Sequence, residues 1–122
     1  MCLYLGKENP TVLIAKENIT CYKVLRVIRG SLESPHIFGY YWELGKTHEV
    51  KLPLAKDGRR KDRDEINKGL HSFSDQFKAQ VNLQFHLDSK VFEAVIPKGS
   101  HYYVNSCNTE YASSKLKIIK QL

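Results

Sequence analysis

Little in this sequence is suited to stapling, spanning or coordinating. Cysteine occurs only at Cys2, Cys21 and Cys107, an odd number with no close pair, which argues against a disulfide framework and against a four-ligand zinc site. No apolar run approaches the ~20 residues of a membrane-spanning helix. The opening Met1-Cys2-Leu3-Tyr4-Leu5-Gly6-Lys7 lacks the basic segment and apolar core of a secretory signal. The expectation is a cytoplasmic protein with no membrane partner. Histidine stands at His36, His48, His71, His86 and His101, with neither His-x-x-x-His spacing nor a Cys-x-x-Cys in the chain. No metal and no cofactor are therefore expected.

What is present fits one globular domain over residues 1–122, with 42% hydrophobic and 26% charged residues. A chain this long buries roughly two-thirds of the surface that its unfolded form exposes. Nineteen Lys and Arg against thirteen Asp and Glu give a net charge of +6, which points to anionic partners. From Lys56 to Glu65 the basic and acidic residues nearly cancel and no apolar residue intervenes. That segment reads as an exposed loop, and the surplus charge falls elsewhere, notably on Lys115, Lys117 and Lys120.

Ile19 to Ile28 reads as a strand with Tyr22, Val24, Arg26 and Ile28 on one face and Cys21, Lys23, Leu25 and Val27 on the other. Further strands are expected over 36–42, Thr47 to Leu52, Val91 to Ile96, His101 to Asn105 and Leu116 to Ile119, while Val12 to Ala15 fits a strand or a packed turn. Ser74 is a candidate N-cap, with Phe77, Val81 and Phe85 as the buried stripe of the helix that follows. The fold expected is α+β, a mainly antiparallel sheet of five to seven strands with one or two helices.

Candidate chemistry lies in aromatic residues and cations. Alternation puts Tyr40 and Trp42 on one strand face and Tyr41 on the other, and the adjacent Tyr102 and Tyr103 cannot both face inward. Rings interleaved with Lys23, Arg26, Lys46 and Lys98 suit stacking of a base and neutralisation of phosphate. Pro97-Lys98-Gly99-Ser100-His101 fits a β-turn, or a loop whose amides grip an anion. His71 beside Ser72 is the best-placed imidazole. Cys21, in mid-strand, points into the core and is not expected to act as a thiolate.

Two resemblances add to this. The run Val91-Phe92-Glu93-Ala94-Val95-Ile96-Pro97-Lys98-Gly99-Ser100-His101-Tyr102-Tyr103-Val104 resembles the catalytic-glutamate strand of ADP-ribosyltransferases. The likeness implies an ADP-ribosyltransferase-like fold and an NAD-directed role for Glu93, supported by Arg26 on an early strand and by Ser72. Val91 stands where many members carry Gln or Glu, and no Ser-Thr-Ser occurs. The chain as a whole, through Cys21-Tyr22-Lys23-Val24-Leu25, Tyr40-Tyr41-Trp42, Gly69-Leu70-His71-Ser72-Phe73 and Ile96-Pro97-Lys98-Gly99-Ser100, is similar to short proteins of phages and gut bacteria. That resemblance implies no activity; small phage proteins without catalytic motifs often block a host process, by binding a host protein or by sequestering a nucleotide immune signal, so a counter-defence role in an infected or lysogenic bacterial cell is the expectation.

These observations lead to the expectation of a non-enzymatic protein, forming homo-oligomers, that sequesters an anionic nucleotide-type small molecule. Tyr22, Tyr40, Trp42 and Tyr103 would stack the base, Arg26, Lys46 and Lys98 would neutralise phosphate, and His71 and Ser72 would supply directed hydrogen bonds. The alternatives are the NAD-directed enzyme using Glu93, and an inhibitor that grips a host protein through the Lys56 to Glu65 loop.

Overall fold

A computed structural model describes residues 3–4, 12–34, 40–52, 65–66, 69–84, 86–105 and 107–122. In chain order the elements are β1 (Leu3–Tyr4), β2 (Leu13–Ile14), β3 (Ile19–Ile28), β4 (Ser31–Glu33), β5 (Tyr41–Trp42), β6 (Thr47–Glu49), β7 (Glu65–Ile66), β8 (Leu70–Phe73), α1 (Gln76–Leu83), β9 (Ser89–Ile96), β10 (His101–Val104), β11 (Glu110–Ser113) and β12 (Lys115–Gln121). The fold is α+β and mainly antiparallel. Ten strands rather than five to seven form the main sheet, in the order β2-β10-β11-β8-β3-β9-β12-β6, with β4 and β5 branching from β3; β1 and β7 pair separately. The excess over expectation comes from two- to four-residue strands such as β4, β5 and β11, too short for alternation to register. The 56–64 stretch of the charged loop, residues 35–39 and Phe85 lie outside the described residues.

β3 is the axis of the sheet. All eight pairs from Ile19↔Ile96 to Arg26↔Ser89 tie it to β9. Along its other flank it pairs with β8 only at Tyr22↔Phe73, and then with β4 from Arg26↔Glu33 to Ile28↔Ser31. This change of partner leaves a seam between β8 and β4. On the far sides of β8 and β9 lie β11 and β12, two halves of one run bent at Ser114. The Ser114 N–H donates to the His101 carbonyl at the end of β10 (2.9 Å), and its carbonyl accepts from Val50 N just beyond β6 (2.9 Å). That one residue passes the run from one neighbour to another, and alternation leaves one face of the sheet, the inner face, lined by the main core.

The inner face carries the main core: Cys21, Leu25, Leu70, Phe92, Ala94, Ile96, Leu116 and Ile118, with Trp42 of β5 folded over it. The outer face is covered in two places. Leu52 and Val12 lie against Tyr103 and Ala112, and α1 lies against Val24, Phe73 and Val91. Gly69 lets Leu52 come close: its φ is +105°, and a Cβ there would stand 2.7 Å from Leu52 Cδ1.

The helix differs from expectation in cap and stripe. Asp75, not Ser74, is the N-cap, its Oδ1 accepting from Phe77 N at 2.7 Å, while the Ser74 hydroxyl donates to the Asn108 carbonyl. Phe77 and Val81 are 65% and 40% exposed; Ala79 and Leu83 face the sheet instead. Val24, Phe73 and Val91 already fill the space below, so a helix seats closely there only through a small residue. Asp75→Ala should therefore destabilise the protein by about 1 kcal/mol in urea denaturation. Phe77→Ala should change it by less than about 0.5 kcal/mol, as an exposed site does; a loss of several kcal/mol on that change would contradict this seating.

Candidate functional site

Strand alternation sorts the candidate side chains onto two faces. On β3, Cys21 and Lys23 point inward with Leu25, whereas Tyr22, Val24 and Arg26 point outward. In-register neighbours share a face. Thus Ser72, opposite Tyr111, faces inward, and His71, in the row Tyr103↔Ala112↔His71, faces outward. On β5, Trp42 lies opposite Leu32 on the inner side, and Tyr41 lies opposite Glu33 and is exposed. His48 joins the inner side opposite Leu116.

Lys23 is the centre of the inner site. Its residue is only 8% exposed, and its Nζ donates to the His71 carbonyl at 2.5 Å. That carbonyl belongs to β8 beside the seam, where pairing with β3 is confined to Tyr22↔Phe73. The ammonium also stands 5.1 Å from the Trp42 ring centre, in cation–π range. Among the described residues no carboxylate pairs with it. Burial pushes its pKa down to about 8, and the neighbouring Cys21 pulls it partly back. Cys21 moves the other way: burial pushes its thiol up to about 11, against smaller opposing effects of the Ser72 hydroxyl and the Lys23 charge. At neutral pH the pair is thus an ammonium and a thiol.

Three rings wall one side. Trp42 lies 4.4 Å from His48 and 5.3 Å from Tyr40, and Tyr40 and His48 are 6.0 Å apart. The His48 Nε2 accepts from Glu43 N–H at 3.2 Å. Burial, followed by the nearby Lys46 charge, holds the His48 pKa below its usual value, with Glu43 opposing. On the other side Tyr111 packs against the core in an edge-on contact with Tyr102 at 5.9 Å. Its phenol is pushed up by burial, then by Cys21 and Tyr102. Two buried polar atoms of this face, Trp42 Nε1 and Ser72 Oγ, meet no oxygen or nitrogen partner among the described residues, the Ser72 hydroxyl lying against the Cys21 thiol instead. Buried polar atoms are nearly always paired, so two on one face mark it as unusual.

Of the residues expected to hold a ligand, Tyr40, Trp42 and Ser72 come together around Lys23, and Lys46 is exposed near His48. The others do not join them. Tyr22, Arg26, His71 and Tyr103 are outward, Tyr103 buried beneath Leu52 and Arg26 in register with the carboxylate-bearing Glu33. Lys98 sits in an exposed turn whose amides are engaged: Lys98 N donates to Asn18 Oδ1 (2.9 Å), Gly99 N to the Ala15 carbonyl (2.8 Å) and Ser100 N to the Pro97 carbonyl (3.1 Å). With those donors taken the segment is a β-turn and not an anion nest. Glu93 is outward too, opposite Tyr22, and lines an outer groove of about 530 Å³ with Thr20, Thr47, Val95 and Lys117. Glu93 and Ser72 therefore lie on opposite faces. On β12, a register shift between Ile118 and Lys120 keeps Lys120 on the outer face, opposite Glu93, as Lys115 is opposite Glu49. Two of the three lysines of this run thus stand in register with a glutamate.

Reading from sequence passed over Lys23 as the central cation in favour of Arg26. The signal was present, since alternation groups Lys23 with Cys21 and Leu25. No protein-family model, curated protein or solved structure matches the chain. Among the described residues there is no helix long and apolar enough to cross a membrane, and no group of three or more His, Cys, Asp or Glu able to hold a metal ion.

The burial of Lys23 has a measurable consequence. Between about 8 in the fold and the ordinary lysine value of 10.5, the unfolded chain binds a proton that the folded chain does not, so stability rises with pH across that window. For Cys21, between 9.0 and about 11, the folded chain keeps a proton that the unfolded chain has lost, so stability falls. Urea denaturation should show a net gain from pH 8 to 9, with a slope of at most about 1.4 kcal/mol per pH unit, levelling above. Lys23→Met should remove the gain; identical profiles for the two proteins would contradict the burial of the charge.

Proposed function

We propose that this is a non-enzymatic binding protein that sequesters an anionic nucleotide-type ligand on the inner face of its sheet, in the cytoplasm of an infected or lysogenic bacterial cell. The observation that carries the reading is Lys23: a buried ammonium with no carboxylate beside it among the described residues, held against Trp42. Isolated charges are costly to bury. A neutral donor would satisfy the His71 carbonyl at lower cost, so the positive charge itself calls for a purpose. An anion arriving at Lys23 supplies the missing counter-charge, and binding then stabilises the fold.

Each neighbouring group has a role in that event. Trp42, Tyr40 and His48 form an aromatic wall on which a base can stack, a contact worth about 1–3 kcal/mol per base. Trp42 Nε1 offers a directed hydrogen bond that no described residue takes up, and the Ser72 hydroxyl can turn from the Cys21 thiol toward the ligand. The resemblance to short phage proteins favours a ligand that serves as a nucleotide immune signal, and a counter-defence role that needs no catalysis. The ADP-ribosyltransferase-like reading draws on Glu93 lining the outer groove; there Ser72 cannot assist it from the opposite face.

The test is thermal-shift screening of the intact chain against linear and cyclic nucleotides, followed by calorimetry on the best ligand. Lys23→Met should weaken binding at least about tenfold, the order of one charge-assisted hydrogen bond. Arg26→Ala should leave the affinity unchanged. Affinity should also decline as pH rises through about 8, where the free Lys23 loses its proton. Loss of binding in Arg26→Ala with full binding in Lys23→Met would move the site to the outer face and refute the proposal.

A further inference from the structure

We infer that the groove on the outer face is a second binding site, taking a small zwitterion of dipeptide size with its ammonium at Glu93 and its carboxylate at Lys117. The groove shares no residue with the site around Lys23, and the inference does not rest on the binding role proposed there.

Strand register builds the groove from four strands. Thr20 of β3, Val95 of β9, Lys117 of β12 and Thr47 of β6 stand opposite one another in a single row, and in-register neighbours share a face. Glu93 lies two residues before Val95 on β9, so it faces the same way. Ile119 sits at the register shift between Ile118 and Lys120, a bulge that turns its side chain to the groove. Beyond Glu93 the next row, Val24↔Val91, lies under α1. The groove holds about 530 Å³, within the range of small-molecule sites.

Its lining has two poles. At one, the Glu93 carboxylate and the Thr20 hydroxyl accept hydrogen bonds, which suits an ammonium; at the other, the Lys117 ammonium donates beside the Thr47 hydroxyl, which suits a carboxylate. Val95 and Ile119 give an apolar floor between them. Among the described residues no ion pair engages Glu93 or Lys117. Because Lys117 pairs with Val95, Glu93 is its diagonal neighbour, and such neighbours stand roughly 7–8 Å apart at Cα. An extended dipeptide spans about 7 Å, and a single residue about half of that. A ligand with charge of one sign only would be attracted at one pole and repelled at the other.

The experiment is calorimetry of the intact chain at pH 7.5 with dipeptides of alanine, valine and leucine, each in three forms: free, acetylated at the amine, and amidated at the carboxylate. The best free dipeptide should bind at least about tenfold more tightly than either blocked form, the order of one charge-assisted hydrogen bond, and more tightly than the single amino acids. Glu93→Gln should remove the penalty of acetylation and keep that of amidation; Lys117→Met should do the reverse. Lys23→Met should leave dipeptide affinity unchanged, which separates this site from the inner one. No saturable heat from any free dipeptide, equal binding of a blocked form or of a single amino acid, or loss of dipeptide binding in Lys23→Met would each overturn the inference, and none of these bears on nucleotide binding at the inner face.

Discussion

A single ammonium group buried on one face of the sheet is the constraint around which this structure is organised. Lys23 reaches the inner face because β3 alternates without a break through the middle of the sheet. Its Nζ finds the His71 carbonyl because β3 changes partner from β8 to β4 at that level. The charge rests against Trp42 because β4 and β5 carry the indole back over the core. Each contact lowers the energy of a buried cation, yet none neutralises it. Burial depresses the pKa only as far as about 8, so at neutral pH the charge persists. An anion bound at that face, as proposed above, would supply the counter-charge.

The rest of the positive charge is arranged differently. The register shift in β12 keeps its lysines outward, where Glu49 and Glu93 oppose Lys115 and Lys120. Arg26 faces Glu33 across β3 and β4. The net charge of +6 is therefore a poor guide to the site, because the cation that matters chemically is one of nineteen basic residues and the least solvated of those described. Charge reveals a function through its surroundings more than through its sum.

How much of this could be read from the chain varies with length scale. β3 was legible to the residue because ten alternating positions carry a strong period-two signal, and the pairing of Tyr40 with Trp42 followed from the same rule. The Pro97 to Ser100 turn was legible because Gly99 adopts a φ of +89° that few other residues accept. β11 was not legible: its four residues follow a loop clasped by Asn105, whose Oδ1 accepts from Thr109 N and Glu110 N, and a clasp of that kind leaves no periodic trace. The helix stripe was misread because Phe77 and Val81 have the correct spacing, while the sheet beneath admits only Ala79 and Leu83. As for the site, sequence identified the ring face but weighted exposed cations over a buried one. The change of neighbours at Ser114 depends on long-range pairing that no local pattern encodes.

The central claim is best tested on the Lys23 side chain itself, by following its ε-carbon and ζ-nitrogen NMR signals through a pH titration with and without the nucleotide that binds best. The account predicts a midpoint near 8 in the free protein, shifting upward when the anion is bound, because the counter-charge favours the ammonium. A midpoint near the ordinary lysine value of 10.5 in the free protein, unmoved by ligand, would contradict it.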